Sequence, residues 1–209
     1  MNSTTLKDQK TNGLIVFVKN AIEGQVKTRL AKTIGQGPAL SVYLYMQNHL
    51  AQWLREAPFE VHIFYNSFIP KEPIDMWSSP KFKKNVQKGV DLGERMHHAF
   101  QQMLEDYQNV LLIGSDIAGL NLNILEEGFK QLGRYDIVVG PAKDGGYYLI
   151  GMKQTTPSIF QKMTWSHENV LQHTIEKIQS AGLSFHLLPE LSDVDTYEDW
   201  IQNQHLFED

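Results

Sequence analysis

The stretch NVLLIGSD, Asn109–Asp116, decides the fold class of this chain. The consecutive apolar residues Val110–Ile113 are expected of a strand that is buried on both faces of a sheet. The run stops at Gly114 and ends on Asp116, whose carboxylate is costly to bury unless another group neutralises it. Ligands of open α/β sheets bind at the carboxyl ends of the strands. The stretch therefore predicts a central strand with a functional carboxylate at its end.

Further apolar runs alternate with stretches of helical periodicity on both sides of this strand. The runs predict strands at Gly13–Val18, Val61–Asn66, Lys84–Lys88, Asp136–Gly140, Tyr147–Met152 and Leu183–Pro189. The periodic stretches predict helices at Pro38–Leu54, Leu92–Tyr107, Ile124–Leu132, Val170–Ala181 and Thr196–Phe207. This alternation predicts a single α/β domain with a mostly parallel central sheet and helices on both faces. The domain is expected to span residues 13–209, after a flexible leader at residues 1–12.

The amino-acid composition and net charge exclude several classes of functional site and partner. The 209 residues contain no cysteine, which excludes disulfides, zinc–thiolate sites and thiol catalysis. A formal net charge of −5 gives no general attraction to nucleic acid or to an anionic membrane. The sequence shows no signal peptide and no apolar run long enough to span a membrane. We therefore expect a cytoplasmic protein without a nucleic-acid partner, whereas its oligomeric state stays open.

The loop after the first strand, KNAIEGQVKTRL, combines one glycine with three cations and is suited to a phosphate chain. Gly24 permits a close backbone approach, and Lys27 and Arg29 supply charge and hydrogen-bond donors. Lys19, at the start of the loop, is a further candidate for this role. The alternative is a solvated basic loop.

Three aspartates are candidate metal ligands. A divalent cation that bridges Asp116 to a diphosphate would neutralise this carboxylate. Asp193 and Asp195, in the segment DVDT, are separated by one residue and could share the same metal. The alternative is that Asp116 caps the helix starting near Asn121 or bonds loop amides, and that Asp195 or Thr196 caps the last helix.

The segment GPAKDGGYYL, Gly140–Leu149, places two glycines directly after an aspartate. Asp144, Gly145 and Gly146 could form a tight turn whose backbone approaches a sugar or a base. The alternative is an ordinary hairpin with an Asp-Gly turn.

In this order, the segments resemble those of bacterial GT-A-like transferases of uncharacterised function, which are often classed as glycosyltransferases. This family is related in fold to molybdenum-cofactor and phospholactate guanylyltransferases. The resemblance spans the chain from Val16 to about Ile201. Its most specific pieces are GQVKTRL (Gly24–Leu30), DLGERM (Asp91–Met96), GPAKDGGYYLIG (Gly140–Gly151) and DVDTYED (Asp193–Asp199).

The resemblance implies a nucleotide-diphospho-sugar transferase-like domain that uses Mg²⁺ or Mn²⁺. The implied catalytic residues are Lys27, Arg29 and Asp116. The implied metal ligands are Asp116, Asp193 and Asp195. The implied nucleotide- or substrate-binding residues are Lys19, Gly24, Lys27, Arg29, Gly93, Arg95, Asp144, Gly145 and Gly146.

The chain departs from the family pattern at three places. Ala21 and Ala118 stand where the family usually has proline, which would stiffen each loop. The usual W-x-T is here Trp165-Ser166-His167. The charged set is complete, but loss of the prolines predicts looser positioning of the substrate or a divergent substrate.

Three functions fit these residues, and the family resemblance favours the first. The first is glycosyl transfer, in which a small-molecule acceptor attacks the anomeric carbon of a nucleotide-diphosphate sugar. The second is nucleotidyl transfer, in which a phosphorylated acceptor attacks the α-phosphate of a nucleoside triphosphate and expels pyrophosphate. Both reactions need the carboxylates and a metal, because both develop charge on phosphate oxygens. The third is a non-catalytic nucleotide- or sugar-binding protein, against which the presence of all three aspartates argues.

Overall fold

A computed structural model gives the structure of the chain over residues 10–71 and 76–207. Its strands are β1 Lys10–Val18, β2 Glu60–Tyr65, β3 Phe82–Val86, β4 Tyr107–Ile113, β5 Ile117–Ala118, β6 Ile137–Pro141, β7 Tyr147–Met152, β8 Phe185–Leu187 and β9 Ser192–Asp193. Its helices are α1 Thr28–Ile34, α2 Gln36–Leu54, α3 Leu92–Met103, α4 Leu122–Leu132, α5 Pro157–Phe160, α6 Val170–Ser180 and α7 Tyr197–Asn203. A 3₁₀ helix, Gln204–Phe207, follows α7.

The central sheet of the described residues has the strand order β3-β2-β1-β4-β7-β6-β8. All neighbouring strands are parallel except β7, which runs antiparallel to both β4 and β6. The predicted mostly parallel sheet is therefore confirmed. β5 and β9 form a separate two-stranded antiparallel sheet.

Alternate residues of β1 contribute to two hydrophobic cores, one on each face of the sheet. Leu14 and Val16 pack into one core with α2 and α4. Ile15, which points the other way, packs into the second core with α3, α5 and α6. These side chains are fully buried, and burying a side chain of this size contributes about 1.5–3 kcal/mol. The two cores confirm that helices cover both faces.

The sequence did not predict several of the short helices and strands. Helix α1 begins within the loop Lys19–Leu30 that the sequence predicts, and α5, β5 and β9 were not expected either. The predicted helix Leu92–Tyr107 ends at Met103, because Tyr107 is buried and begins strand β4. Residues 10–12 of the expected leader belong to β1, and the rest of the leader lies outside the described residues. No described helix is long and apolar enough to cross a bilayer.

Candidate functional site

A cleft of about 360 Å³ opens at the carboxyl edge of the central sheet. Residues that directly follow β1, β2, β3 and β4 line it, namely Lys19, Asn66, Gln87 and Gly114–Asp116. Asp193 and Asp195, from the segment before α7, also line the cleft. The structure thus brings together polar residues that are widely separated in sequence, as the carboxyl-edge rule predicts.

The buried side chain of Lys27 contacts two of the carboxylates of this cleft, those of Asp116 and Asp195. The Lys27 side chain is 1% exposed, and its Nζ donates to Asp116 Oδ2 at 2.7 Å and to the Val194 carbonyl at 2.6 Å. Asp195 Oδ1 lies 3.4 Å from the same nitrogen. The ammonium therefore has three oxygen partners within the protein. The expected contact of Lys27 with phosphate stays a prediction.

The backbone of Lys27 adopts a left-handed conformation, with φ 47° and ψ 44°, at the residue that precedes α1. This conformation is uncommon for a residue other than glycine, and strained backbone of this kind is concentrated at functional sites. It turns the chain from the basic loop into α1 while the lysine side chain enters the protein interior. Gly24, with φ 77°, allows the preceding turn.

The Lys27–Asp116 pair keeps both groups charged. Burial alone would lower the pKa of Lys27, but the charges of Asp116 and Asp195 outweigh it and raise this pKa. Burial alone would raise the pKa of Asp116, and the charge and hydrogen bond of Lys27 reverse the effect, so that this pKa is lowered. Ser115 Oγ also donates to Asp116 Oδ1 at 2.9 Å. Asp116 is thus a stable carboxylate at the base of the cleft.

Asp193 differs from Asp116, because one of its oxygens has no partner. Its Oδ1 is buried and makes no hydrogen bond to any residue that the structure describes. Burial, together with the charges of Asp144, Asp195 and Asp116, raises the pKa of Asp193 to about 7. A buried carboxylate oxygen without a donor is expensive, and a bound cation would relieve this cost.

The two-stranded sheet brings these aspartates close to one another. Ile117, the residue after Asp116, pairs with Asp193, and the Val194 amide donates to the Asp116 carbonyl at 3.1 Å. Ala118, which stands at a family proline position, pairs with Ser192 in the same sheet. Strand pairing therefore holds this segment where proline would otherwise stiffen it.

Asn121 and Thr196 form the helix caps, so the alternative that Asp195 or Thr196 caps the last helix is confirmed for Thr196, whereas Asp116 does not cap α4. Asn121 caps α4 by accepting from the Ile124 amide. Thr196 caps α7 and forms a reciprocal capping box with Asp199. The carboxylates of Asp116 and Asp195 are consequently available to the cleft.

The other predicted cations occupy different positions around the cleft. The Arg29 side chain is 70% exposed, and its guanidinium lies 3.8 Å from Asp195 Oδ2. Lys19 is exposed and lines the cleft. Arg95 lines it from α3, and its Nε donates to the Gly89 carbonyl at 3.2 Å. Arg29 and Lys19 can therefore meet a ligand without breaking a buried ion pair.

The turn Asp144–Gly146 is the hairpin that the sequence offered as its alternative, since it joins the antiparallel strands β6 and β7. Asp144 Oδ1 accepts from the Gly146 amide at 2.8 Å. Gly145 has φ 86°, and a Cβ there would lie 1.9 Å from the Glu168 carbonyl oxygen. The glycine is thus required by backbone packing. Ligand contacts of this turn stay a prediction, although the charge of Asp144 reaches Asp193.

The segment DLGERM begins α3, as the sequence allowed. The Asp91 side chain caps the helix by accepting from the Glu94 backbone amide. The Glu94 carboxylate in turn accepts from the Val90 backbone amide. A Cβ on Gly93 would lie 2.6 Å from the Trp165 ring. Gly93 therefore serves helix–loop packing, and it does not line the cleft, whereas its neighbour Arg95 does.

Sequence reasoning missed several residues of the cleft. Asn66 and Gln87 line it because they follow β2 and β3 at the same edge as Asp116. The carboxyl-edge rule, applied to every strand, would have found both. Tyr43, one of the apolar residues of the predicted helix Pro38–Leu54, also contributes to the site, because its hydroxyl binds the backbone of Lys19. No local sequence signal marks that long-range contact.

The donor set fits a cation that is shared with a ligand. Among the described residues, no group of three or more His, Cys, Asp and Glu side chains could hold a metal ion. Asp116 and Asp193 line the same cleft, where Asp116 already binds Lys27 and Ser115, and magnesium commonly completes a partial carboxylate shell with phosphates and water. The metal role of Asp116, Asp193 and Asp195 stays a prediction.

Comparison with solved structures identifies the fold as nucleotide-diphospho-sugar transferase-like. A candidate nucleotide-diphospho-sugar transferase from Desulfovibrio desulfuricans G20 is 32% identical, with a TM-score of 0.84 over 95% of this chain and 97% of that chain. The inositol-1-phosphate CTP transferase from T. maritima is 14% identical, with a TM-score of 0.58 over 95% and 94% of the two chains. The 4-diphosphocytidyl-2C-methyl-D-erythritol synthase from Anaerococcus prevotii DSM 20548 is 8% identical, with a TM-score of 0.62 over 96% and 99%.

No curated protein matches the sequence. The profile of a family described as uncharacterised proteins conserved in bacteria (DUF2064) matches residues 49–167, which is more than half of the chain. This match and the similarity to the Desulfovibrio structure agree with the resemblance of the motifs. The chain therefore belongs to this bacterial family of nucleotide-diphospho-sugar transferase-like fold.

Proposed function

We propose that the chain is a metal-dependent transferase that uses a nucleotide-diphosphate sugar and transfers the sugar to a small-molecule acceptor. The observation that carries this proposal is the buried Lys27–Asp116 pair, set beside Asp193 and Asp195 at the carboxyl edge of the sheet. Lys27 neutralises Asp116, but the buried Oδ1 of Asp193 has no hydrogen-bond partner among the described residues, and a cationic ligand would relieve the cost of burying it. The similarity to a candidate nucleotide-diphospho-sugar transferase supports the choice of donor.

The reaction breaks the bond between the anomeric carbon and the diphosphate oxygen, and forms a bond from that carbon to an acceptor oxygen. Negative charge develops on the leaving diphosphate, and groups aimed at that charge accelerate the reaction. Lys19 is an exposed cation that lines the cleft, and the exposed Arg29 lies beside Asp195, which also lines it, so both cations would bind the diphosphate. Because the described aspartates do not form a metal cage by themselves, Asp116, Asp193 and Asp195 would hold Mg²⁺ or Mn²⁺ together with oxygens of the diphosphate, and the cation would supply further charge neutralisation.

Lys27 gives a physical reason for metal and nucleotide to bind together. In the structure its ammonium already neutralises Asp116, so a divalent cation that arrives alone meets a paired carboxylate. A diphosphate adds negative charge to the same cleft and completes the oxygen shell of the metal. Each ligand therefore improves the binding of the other.

Nucleotidyl transfer is the second candidate, and the basic segment after β1 favours it. Lys19, Lys27 and Arg29 follow one strand within eleven residues of sequence, which suits the longer phosphate chain of a triphosphate. In this reaction a phosphorylated acceptor would attack the α-phosphate and release pyrophosphate. A non-catalytic binding protein is the third candidate, and the charge of the cleft argues against it.

A thermal-shift panel of nucleoside triphosphates and nucleotide sugars, each with and without Mg²⁺ or Mn²⁺, separates the candidates. A ligand that binds only the folded state stabilises it by about 2.7 kcal/mol at a hundredfold excess over Kd. Stabilisation by nucleotide sugars supports glycosyl transfer, and preference for triphosphates supports nucleotidyl transfer. Metal-independent binding of either class, with no turnover of any donor, would favour the binding protein.

Replacing Asp116 with asparagine should abolish the coupling between metal and nucleotide. Asparagine keeps a carbonyl oxygen for Lys27 but lacks the charge that a divalent cation needs, so the protein should fold at lower stability. Calorimetric titration of a nucleotide with and without Mg²⁺ measures the coupling directly. Equal coupling in the variant and the unmodified protein would remove Asp116 from the metal site.

Replacing Arg29 with alanine should weaken nucleotide binding about tenfold or more, since a charge-assisted hydrogen bond contributes about 1.5–3 kcal/mol. The melting temperature should hardly change, because the side chain is 70% exposed and its ion-pair partner, Asp195 Oδ2, lies 3.8 Å away. Arg134→Ala, an exposed arginine before β6, is the matched control and should leave affinity unchanged. Lower stability with unaltered affinity in Arg29→Ala would make Arg29 structural.

A further inference from the structure

The hydroxyl of Tyr43 binds both backbone groups of Lys19. It donates to the Lys19 carbonyl and accepts from the Lys19 amide, each at 2.9 Å. Tyr43 lies on α2 and is 1% exposed, so its ring is fixed by the surrounding core. Lys19 is the first residue after β1, at the point where the chain leaves the sheet. One side chain from the helix layer therefore determines where the loop begins.

A second set of hydrogen bonds fixes the next residue. Asn20 is 5% exposed, and its backbone amide donates to the side-chain oxygen Oδ1 of Asn66 at 2.7 Å. Its side chain accepts from the amides of Ser67 and Phe68, at 3.2 and 3.3 Å, and donates to the Phe68 carbonyl at 2.9 Å. These bonds join the loop after β1 to the loop after β2.

Ala21, which follows these two residues, is exposed and has no side-chain anchor of its own. The Ile22 amide donates to the Asn20 carbonyl at 2.8 Å, so the chain turns tightly around Ala21. Order in this part of the loop is thus supplied from Lys19 and Asn20. A proline at position 21 would restrain the loop directly. In this chain the hydrogen bonds of Tyr43 and Asn66 restrain the two residues before Ala21 instead.

We propose that Tyr43 is a positioning residue for phosphate binding, which acts by holding Lys19 so that its ammonium projects into the cleft toward Asp116. The inference deepens the proposed function and rests on it. Lys19 lines the cleft, and it makes no ion pair with any residue that the structure describes. Lys27, in contrast, has its ammonium buried on protein oxygens. Lys19 is therefore the cation after β1 whose backbone is held in place and whose ammonium is free to bind a phosphate.

The electrostatics of the cleft agree with this geometry. The charge of Lys19 is one of the influences that lower the pKa of Asp116, after the stronger effects of Lys27 and Ser115. Burial first, and then the charge of Asp116, raise the pKa of Tyr43. The hydroxyl consequently keeps its proton and remains a donor to the Lys19 carbonyl across the physiological range of pH.

The test uses Tyr43→Phe, which retains the buried ring and removes the hydroxyl. Tyr107→Phe is the matched control, because Tyr107 is also buried and hydrogen-bonded but lies at the amino end of β4, away from the cleft. Binding of inorganic pyrophosphate in the presence of Mg²⁺ is measured by calorimetry. Near-ultraviolet circular dichroism checks that both variants are folded, and hydrogen exchange follows the amide of Lys19.

We expect Tyr43→Phe to raise the Kd of pyrophosphate about tenfold, within the range of coupling between groups that share hydrogen bonds. The Lys19 amide should exchange faster in this variant, and Tyr107→Phe should change neither quantity. In a Lys19→Met background the effect of Tyr43→Phe on Kd should disappear, because the positioned group is gone. A merely structural role of Tyr43 would leave the same loss of affinity in that background.

The outcomes separate this inference from the proposed function. If the unmodified protein binds no pyrophosphate with Mg²⁺ or Mn²⁺, the proposed function fails. If it binds pyrophosphate and Tyr43→Phe binds it equally well, the proposed function stands and the positioning role of Tyr43 is wrong. Additive effects of Tyr43→Phe and Lys19→Met would also overturn the role.

Discussion

Replacing Lys27 with methionine is expected to lower the free energy of unfolding by about 3–5 kcal/mol at neutral pH, the usual effect of removing one partner of a buried ion pair. Methionine preserves much of the length and volume of the side chain, so the loss is mainly electrostatic. Asp116 would keep only the hydroxyl of Ser115, and the Val194 carbonyl would lose its donor. Urea unfolding, followed by circular dichroism, measures the change.

The matched control for this variant is Lys130→Met. Lys130 also forms a short ion pair, at 2.9 Å to Glu127, but both side chains are substantially exposed, at 64% and 40%. Pairs of this kind contribute about 0.2–1 kcal/mol, so the control should change little. A small change in both variants would show that the Lys27–Asp116 pair is not an important source of stability.

Lys27→Met also tests the relation between the lysine and the metal. Without the ammonium, Asp116 and Asp193 lose their internal counter-charge, and Mg²⁺ alone should stabilise the variant more than it stabilises the unmodified protein. Thermal melting with and without Mg²⁺, in the absence of nucleotide, gives the comparison. An equal response of the two proteins would contradict a shared site for Lys27 and metal.

Replacing Asp193 with asparagine should stabilise the metal-free protein above neutral pH. The pKa of Asp193 is raised from 3.8 to about 7 in the folded state, so between these values the folded protein binds more protons than the unfolded chain. Stability from this group is therefore lost as pH rises from about 4 to 7. A shift of about three pKa units corresponds to roughly 4 kcal/mol at most, since each unit is worth about 1.4 kcal/mol.

The advantage of Asp193→Asn should be small at pH 4, grow steadily to pH 7, and then remain constant. Unfolding free energies, measured with a chelator at several pH values, give this profile, and the low-pH point is the internal control. Addition of metal and nucleotide should reverse the order of stabilities, because asparagine offers the cation no charge. Parallel pH profiles for the two proteins would show that Asp193 is not perturbed.

Much of the fold could be predicted because its long elements have strong periodic or continuous apolar patterns. The runs that became β1, β4 and β7 are buried on both faces and cannot be read as loops. The two-residue strands β5 and β9 carry no such pattern, since their pairing depends on a partner more than seventy residues away. Helix α1, with seven residues, is too short for periodicity to stand out.

The candidate site was predictable in its position and less so in its contacts. Asp116, Asp193 and Asp195 converge on one cleft, as polar residues beyond strand ends should. The sequence could not place the ammonium of Lys27 inside the protein, because cations of a basic loop are usually solvated. The left-handed backbone of Lys27 accompanies the burial of its side chain, and a conformation of this kind is seen only in the three-dimensional structure.

The bond from Lys27 to the Val194 carbonyl joins residues 167 positions apart in the chain. During synthesis on a ribosome, the lysine and Asp116 emerge long before the segment that carries Val194 and Asp195. Until that segment arrives, the two-stranded sheet lacks β9, and the lysine lacks two of its three oxygen partners. The nascent chain can thus form much of its large sheet while its charged centre is incomplete. The proposed nucleotide site should therefore form only after the segment that carries Val194 and Asp195 has docked.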